Sequence, residues 1–154
     1  MISADTRDQL LREFSDTGVS GPWVLPGEIA SASTARGAYI VCLHLPSTIE
    51  IAISRRPISR LASGWYTYVG SARGSGGIRA RIGRHFKPIK KLHWHIDQLT
   101  TNADQIAALV LVDCGECELV DKLLESDRFN ITVAGFGSSD CRRCAGHLLS
   151  GPIS

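Results

Sequence analysis

Residues Gly64 to His85 read GWYTYVGSARGSGGIRARIGRH, and the fold turns on this stretch. Its opening, Trp65 to Val69, mixes aromatic and β-branched residues, the composition of a half-buried strand. Gly70, Gly74, Gly76 and Gly77, interleaved with Ser71 and Ser75, then form a loop. Such a loop is open enough for backbone N–H groups to approach a ligand. From about Ile78 the spacing predicts a helix, because Ile78, Arg81, Ile82 and His85 recur at i, i+3, i+4 and i+7 and share one face. An arginine and a histidine on an apolar stripe call for a partner, since arginine is rarely buried alone. That partner is a structural carboxylate or a phosphate, and the flanking sequence favours phosphate.

The charge distribution supplies the reason. The chain has 154 residues and a formal net charge of only +2. Yet no acidic residue lies between Glu50 and Asp97, an interval holding Arg55, Arg56, Arg60, Arg73, Arg79, Arg81, Arg84, Lys87, Lys90 and Lys91. Ten of the seventeen basic residues therefore sit in one stretch at +10, leaving about −8 elsewhere. Such asymmetry is the footprint of a polyanion partner. Arg73, Arg79, Arg84, Lys87, Lys90 and Lys91 are the candidate nucleic-acid contacts.

Working outward, residues 6–14 read as a short helix, and residues 15–36, rich in Gly, Pro, Ser and Ala, as a flexible arm. Residues 1–36 are thus set apart from a domain spanning residues 37–154. Ala38 to Leu45 (AYIVCLHL) is a nearly continuous apolar strand. A Pro46-Ser47-Thr48 turn leads to a second, alternating strand over Ile49 to Ser54, expected to be antiparallel to the first. Beyond Lys91, LHWHIDQL suggests a short helix, Ile106 to Val112 a strand and Glu116 to Glu125 a helix. The fold class expected is α+β, a small antiparallel sheet with a three-stranded core flanked by helices.

On the last helix Glu116, Leu119, Val120 and Leu123 share a face, with Glu118, Asp121, Lys122 and Glu125 on the wet side. Glu116 is an inward carboxylate, as Arg81 is an inward guanidinium. Either the two pair as a salt bridge, or Glu116 holds a divalent cation and Arg81 a phosphate. Magnesium suits the second reading, because it takes few protein ligands and keeps waters and phosphate oxygens.

The motifs carry a resemblance. Gly37-Ala38-Tyr39 and Tyr68-Val69-Gly70 resemble the two defining tripeptides of the GIY-YIG endonucleases, Arg81 and His85 their helical arginine and histidine, and Glu116 their metal-binding glutamate. GWYTYVGSA, RIGRH, HWHID, ECEL and the late GFGSSDC with His-Leu further resemble small prokaryotic GIY-YIG-like proteins. The resemblance implies metal-dependent hydrolysis of DNA, with Tyr39 as a general base whose pKa nearby cations lower, and Tyr68 orienting water. Tyr68 would alternatively share the proton, Arg81 would neutralise the phosphate, His85 would assist proton transfer or bind phosphate, and Glu116 would hold Mg²⁺ or Mn²⁺. Ala38 replaces a bulky aliphatic residue, and the glycine-rich spacer leaves Arg79 as an alternative to Arg81. Asn130 is a candidate for a late supporting asparagine. A nucleic-acid-binding module without catalysis and a zinc-stabilised interaction protein are the rival readings.

His93, Trp94, His95 and Asp97 form a further group: either the histidines bind a metal or phosphate while Trp94 stacks a base, or Trp94 anchors a satisfied core. Cys114, Cys117, Cys141 and Cys144, near His147, have zinc-compatible spacing, but the helical setting of Cys117 argues against a knuckle. Buried, reduced and inert cysteines are expected instead. The N-terminus lacks the apolar core of a signal peptide and no run suits a membrane span, so a cytoplasmic protein is expected.

Overall fold

A computed structural model of the chain describes residues 2–53, 55–112, 114–136 and 146–152. It opens with helix α1 (Ala4–Ser15), capped by Ser3, whose hydroxyl accepts from the Thr6 N–H. There follow β1 (Trp23–Val24), a 3-10 turn at Pro26–Ser31, β2 (Gly37–Leu45), β3 (Ile49–Ile51), β4 (Ser59–Leu61) and β5 (Gly64–Ala72). Helix α2 (Gly77–Phe86), helix α3 (Asp97–Thr100), β6 (Gln105–Leu111), helix α4 (Glu116–Leu124), β7 (Asn130–Ile131) and β8 (Leu148–Ser150) complete the chain. The protein is α+β, with a six-stranded antiparallel sheet in the order β1-β6-β2-β5-β8-β7. No helix among the described residues is long and apolar enough to cross a membrane.

The texture of β2 follows from its place. It pairs along its length with β5 on one side and β6 on the other. Both its faces are covered. Tyr39, Val41, Leu43 and Leu45 pack toward Ile78 and Ile82 of α2, while Ala38, Ile40 and Cys42 pack with Leu10 and Phe14 of α1 and with Leu119, Val120 and Leu123 of α4. A central strand buried on both sides reads as an unbroken apolar run because alternation has no wet side to report.

Two expectations are corrected by this arrangement. The strand after Pro46 does not form a hairpin with β2: β3 pairs with β4 in a separate two-stranded sheet, since both edges of β2 are already taken. Nor are residues 15–36 a free arm. Trp23 and Val24 extend the sheet beside β6, and the 3-10 turn packs on α2.

The glycine loop also has another purpose. The amides of Ile78 and Arg79 at the start of α2 donate to the carbonyls of Ala35 and Ser33, 2.9 Å each. Those orphan N–H groups are therefore spent within the fold and not held open for a phosphate. Gly77 has φ 61°, and a Cβ there would run into the Thr34 carbonyl. Glycine lets the helix start directly beneath the crossing chain.

Candidate active site

Tyr39 lies opposite Gly70 in the β2–β5 register, and Tyr68 opposite Val41. A Cβ at residue 70 would stand 2.5 Å from Tyr39 Cζ and 2.6 Å from its Oη. The glycine of the second tripeptide thus makes room for the tyrosine of the first. The ring passes over Gly70 and its hydroxyl meets His85 Nε2 at 2.7 Å, in a buried contact. His85 is delivered from the last turn of α2, and Tyr68 sets its ring edge-on to the same imidazole at 6.0 Å between centroids.

Burial decides the protonation of this group. It drives the Tyr39 phenol well above its ordinary value; the neighbouring Tyr68 adds to the rise and Arg81 only partly opposes it. Burial likewise pushes Tyr68 up to about 12, with the Glu116 charge contributing and Arg81 opposing. The expectation of a phenol made acidic by nearby cations is therefore corrected, because desolvation outweighs them. His85 is pushed down to about 3, by burial first and then by Lys90, Arg81 and Arg84 against the opposing Asp97. At rest the pair is a neutral phenol bonded to a neutral imidazole. His85 Nδ1 is buried without a hydrogen-bond partner among the described residues.

Arg81 lies one turn before His85, and its Cζ sits 4.5 Å from the centre of the Trp94 ring. Arg84 stacks on Trp94 as well, at 4.7 Å. Guanidinium stacking on an indole is attractive and leaves the N–H fork free to bind in its own plane. Among the described residues no carboxylate lies within 4 Å of Arg81, so the structural Arg81–Glu116 salt bridge is absent. Trp94 in turn is held by Asp97. That fully buried carboxylate accepts from the N–H groups of His93 (2.8 Å) and Trp94 (2.9 Å) and from Arg84 Nη2 (2.6 Å). Burial works to raise the Asp97 pKa, but those donors outweigh it and hold the carboxyl below its usual range. Trp94 is a seat for two arginines, and the pair Arg84–Asp97 explains the HWHID motif.

Glu116 is the first residue of α4, with its side chain 22% exposed, while Glu118 is exposed. The apolar stripe of α4 packs on the sheet, but on the face opposite Tyr39. Glu116 acts from the helix's N-terminal end, near enough for its charge to raise both phenols. Its Oε2 lies 3.6 Å from Nδ1 of His147. His147 is buried and fixed by its backbone, whose N–H donates to Phe136 O (2.8 Å) and whose carbonyl accepts from the Val69 N–H (3.0 Å). In the sequence this histidine stands beside cysteines and in the late His-Leu pair, and neither points to Glu116. Asn130 is exposed on the outermost strand.

The basic residues divide. Arg73, Lys87 and Lys91 are exposed, as is Arg79, whose Nε donates to Ala32 O. Arg84 is spent on Asp97 and the Lys91 carbonyl. Lys90 is turned inward, its ammonium donating to the carbonyls of Arg84 (2.8 Å) and His85 (3.1 Å). Burial lowers its pKa to about 8.

Among the cysteines, Cys42 is buried, and burial pushes its thiol up to about 12, the inert kind expected. Cys114 is a free thiol, whereas Cys117 is disulfide-bonded. A disulfide sulfur is no thiolate ligand, so Cys117 leaves the candidate zinc set and departs from the expected reduced state. Cys141 and Cys144 lie outside the described residues. No group of three or more His, Cys, Asp or Glu that could hold a metal occurs among the described residues.

Compared with known proteins, residues 38–153 match a family model whose description is Domain of unknown function DUF123. No curated protein and no solved structure matches the chain.

Proposed function

The chain belongs to the family of the Domain of unknown function DUF123, and from the site this domain carries we propose that it is a metal-dependent endonuclease acting on DNA. The observation that carries the reading is the buried 2.7 Å bond between Tyr39 Oη and His85 Nε2, beside an arginine seated on an indole and not on a carboxylate. The resemblance to the GIY-YIG endonucleases supports the same assignment, with the basic interval as the face that meets the DNA backbone.

The chemistry follows from the neutral pair. A water against Tyr39 gives its proton to Oη as the phenolic proton passes to His85 Nε2, so hydroxide forms without a free tyrosinate. The new imidazolium is stabilised by the phosphate arriving at Arg81, an anion where the resting site holds an excess of cations. Hydroxide attacks phosphorus, the bond to the leaving oxygen breaks, and that oxygen is protonated from solvent. His85 then returns its proton to solvent through Tyr39, restoring the neutral pair. Arg81 balances the charge that grows on the phosphoryl oxygens, an effect worth several kcal/mol in a water-poor site. Glu116 is the carboxylate that would hold a divalent cation retaining several waters, with the His147 imidazole 3.6 Å away as its neighbour. Such a cation would supply positive charge to offset the negative charge that develops as the phosphodiester breaks.

Binding without cleavage is the second reading, and the burial that keeps Tyr39 protonated favours it. Incubating the chain with plain, nicked, flapped and branched DNA, with and without Mg²⁺ or Mn²⁺, separates the two. Metal-dependent products that vanish in Tyr39→Phe support the endonuclease. Binding with no product under any condition leaves the binding module.

A further inference from the structure

Between α2 and α3 the chain reads Lys87-Pro88-Ile89-Lys90-Lys91-Leu92. Ile89 is 91% exposed and Leu92 56%, large apolar side chains standing in water within a strongly basic stretch. The turn that carries them is tied down. Lys90, with its side chain only 4% exposed, caps the end of α2 by donating to the carbonyls of Arg84 and His85. The Lys87 N–H donates to Arg84 O at 3.2 Å, and Arg84 Nη2 to Lys91 O at 3.2 Å. These bonds satisfy helix-end carbonyls that would otherwise lack partners. With Lys90 drawn inward, its neighbour Ile89 is pushed outward, and exposed Lys87 and Lys91 flank the projection. Its anchor is the backbone of His85 itself, so whatever Ile89 touches is held in fixed relation to the Tyr39–His85 pair.

We propose that this turn is a wedge that inserts Ile89 and Leu92 into an opened base step of DNA, making nicked, branched or easily kinked DNA the preferred substrate class. This rests on the reading of the partner as DNA. Apolar residues inserted between base steps unstack and kink a duplex, and unstacking is cheapest where the stack is already interrupted. A pre-ordered turn makes the insertion without first losing its own conformational freedom. Flanking lysines complement the phosphates on either side of the gap. Two apolar side chains are too few for a stable hold on a lipid surface, which takes a larger buried area or a second anchor.

The test uses the full chain in chelator, so that binding is read apart from cleavage. Oligonucleotides carry 2-aminopurine beside a nick, at a three-way junction or within plain duplex. The wild type raises the fluorescence of the nicked and branched probes and binds them about tenfold more tightly than plain duplex. Ile89→Ser/Leu92→Ser, which alters only exposed side chains, abolishes the rise and brings the preference to within about twofold, leaving plain-duplex binding intact. A double variant that unstacks and discriminates like the wild type overturns the wedge while leaving the endonuclease reading standing. Failure of the wild type to bind any DNA overturns both. If the two substitutions instead release the chain from anionic phosphatidylserine vesicles, or turn a dimer into monomers, the projection belongs to a membrane or to a second copy and the wedge is wrong.

Discussion

Replacing Gly70 with alanine adds one methyl group at the most demanding point of the site. The new Cβ would lie 2.5 Å from Tyr39 Cζ, whereas carbon atoms at rest are about 3.5–4.0 Å apart. The Tyr39 ring must retreat by about 1 Å, which stretches a 2.7 Å hydrogen bond past the roughly 3.5 Å at which it ceases to count as one. Overpacking and the loss of a buried polar partner together cost about 2–4 kcal/mol of stability. Misaligning the proton relay lowers the cleavage rate about 10²–10⁴-fold. DNA affinity, which depends on exposed cations elsewhere, stays within about twofold. Gly74→Ala is the control, because a Cβ there meets nothing within 4 Å; its stability stays within about 0.5 kcal/mol. Urea melts give the first quantity, single-turnover cleavage the second and a binding titration the third. A folded Gly70→Ala protein that cleaves at the wild-type rate refutes the reasoning, for it means the Tyr39–His85 alignment is not used.

Other outcomes follow from the same geometry. His85 has a folded pKa of about 3 against about 6.5 when unfolded, so between those values the unfolded chain binds a proton the folded chain refuses. Its contribution is complete above pH 6.5 and is lost as pH falls toward 3, by about 2 kcal/mol at pH 5, and His85→Gln flattens that part of the urea-melt profile. Trp94→Leu unseats Arg81, so cleavage falls about tenfold with fold retained, and Trp94→Phe restores most of it; equal loss in both would deny the seat its role. Lys87→Ala or Lys91→Ala each reduces the slope of log affinity against log salt by about 0.9. Lys90→Ala leaves that slope alone and lowers stability by about 1 kcal/mol through the lost carbonyl bonds; a salt slope that shifts in the Lys90 variant contradicts its inward placement.

What could be read from the sequence was local. The β5–loop–α2 stretch, the strand near Ile106 and the Glu116 helix announce themselves through period and composition, and the antiparallel α+β class follows. The partners of strands do not announce themselves. Ile49 to Ser54 alternates like a sheet edge, but whether β2 has an edge to offer depends on β5 and β6, one of which comes some sixty residues later. Site chemistry divides along the same line. Tyr39, Tyr68, Arg81 and His85 are legible because two strands and the adjoining helix bring them together. The direction of the Tyr39 shift is not, because desolvation is a property of the assembled layers. Lys90 and Lys91 are identical in composition, and only the capping geometry turns one inward and leaves the other in water. Arg81 and Arg84 share a helix face three residues apart, which hints at a common seat, but Trp94 is named as that seat only by the fold. The meeting of His147 with Glu116 is unreadable for the plainest reason: thirty residues separate them in the chain.

Metal-dependent cleavage, as proposed, requires Glu116 as the cation-holding carboxylate, and Glu118, two residues on, supplies the internal comparison. Helical geometry sets the two about 200° apart, and Glu118 stands exposed while Glu116 lies 3.6 Å from His147 and its charge helps raise both phenols. Glutamine at either position keeps shape and hydrogen bonding and removes only charge. Cleavage rate and DNA affinity are to be measured separately for Glu116→Gln and Glu118→Gln in Mg²⁺ and in Mn²⁺. The account predicts that Glu116→Gln abolishes cleavage while DNA binding survives or tightens, and that Glu118→Gln behaves as wild type. Full cleavage by the Glu116 variant would contradict it.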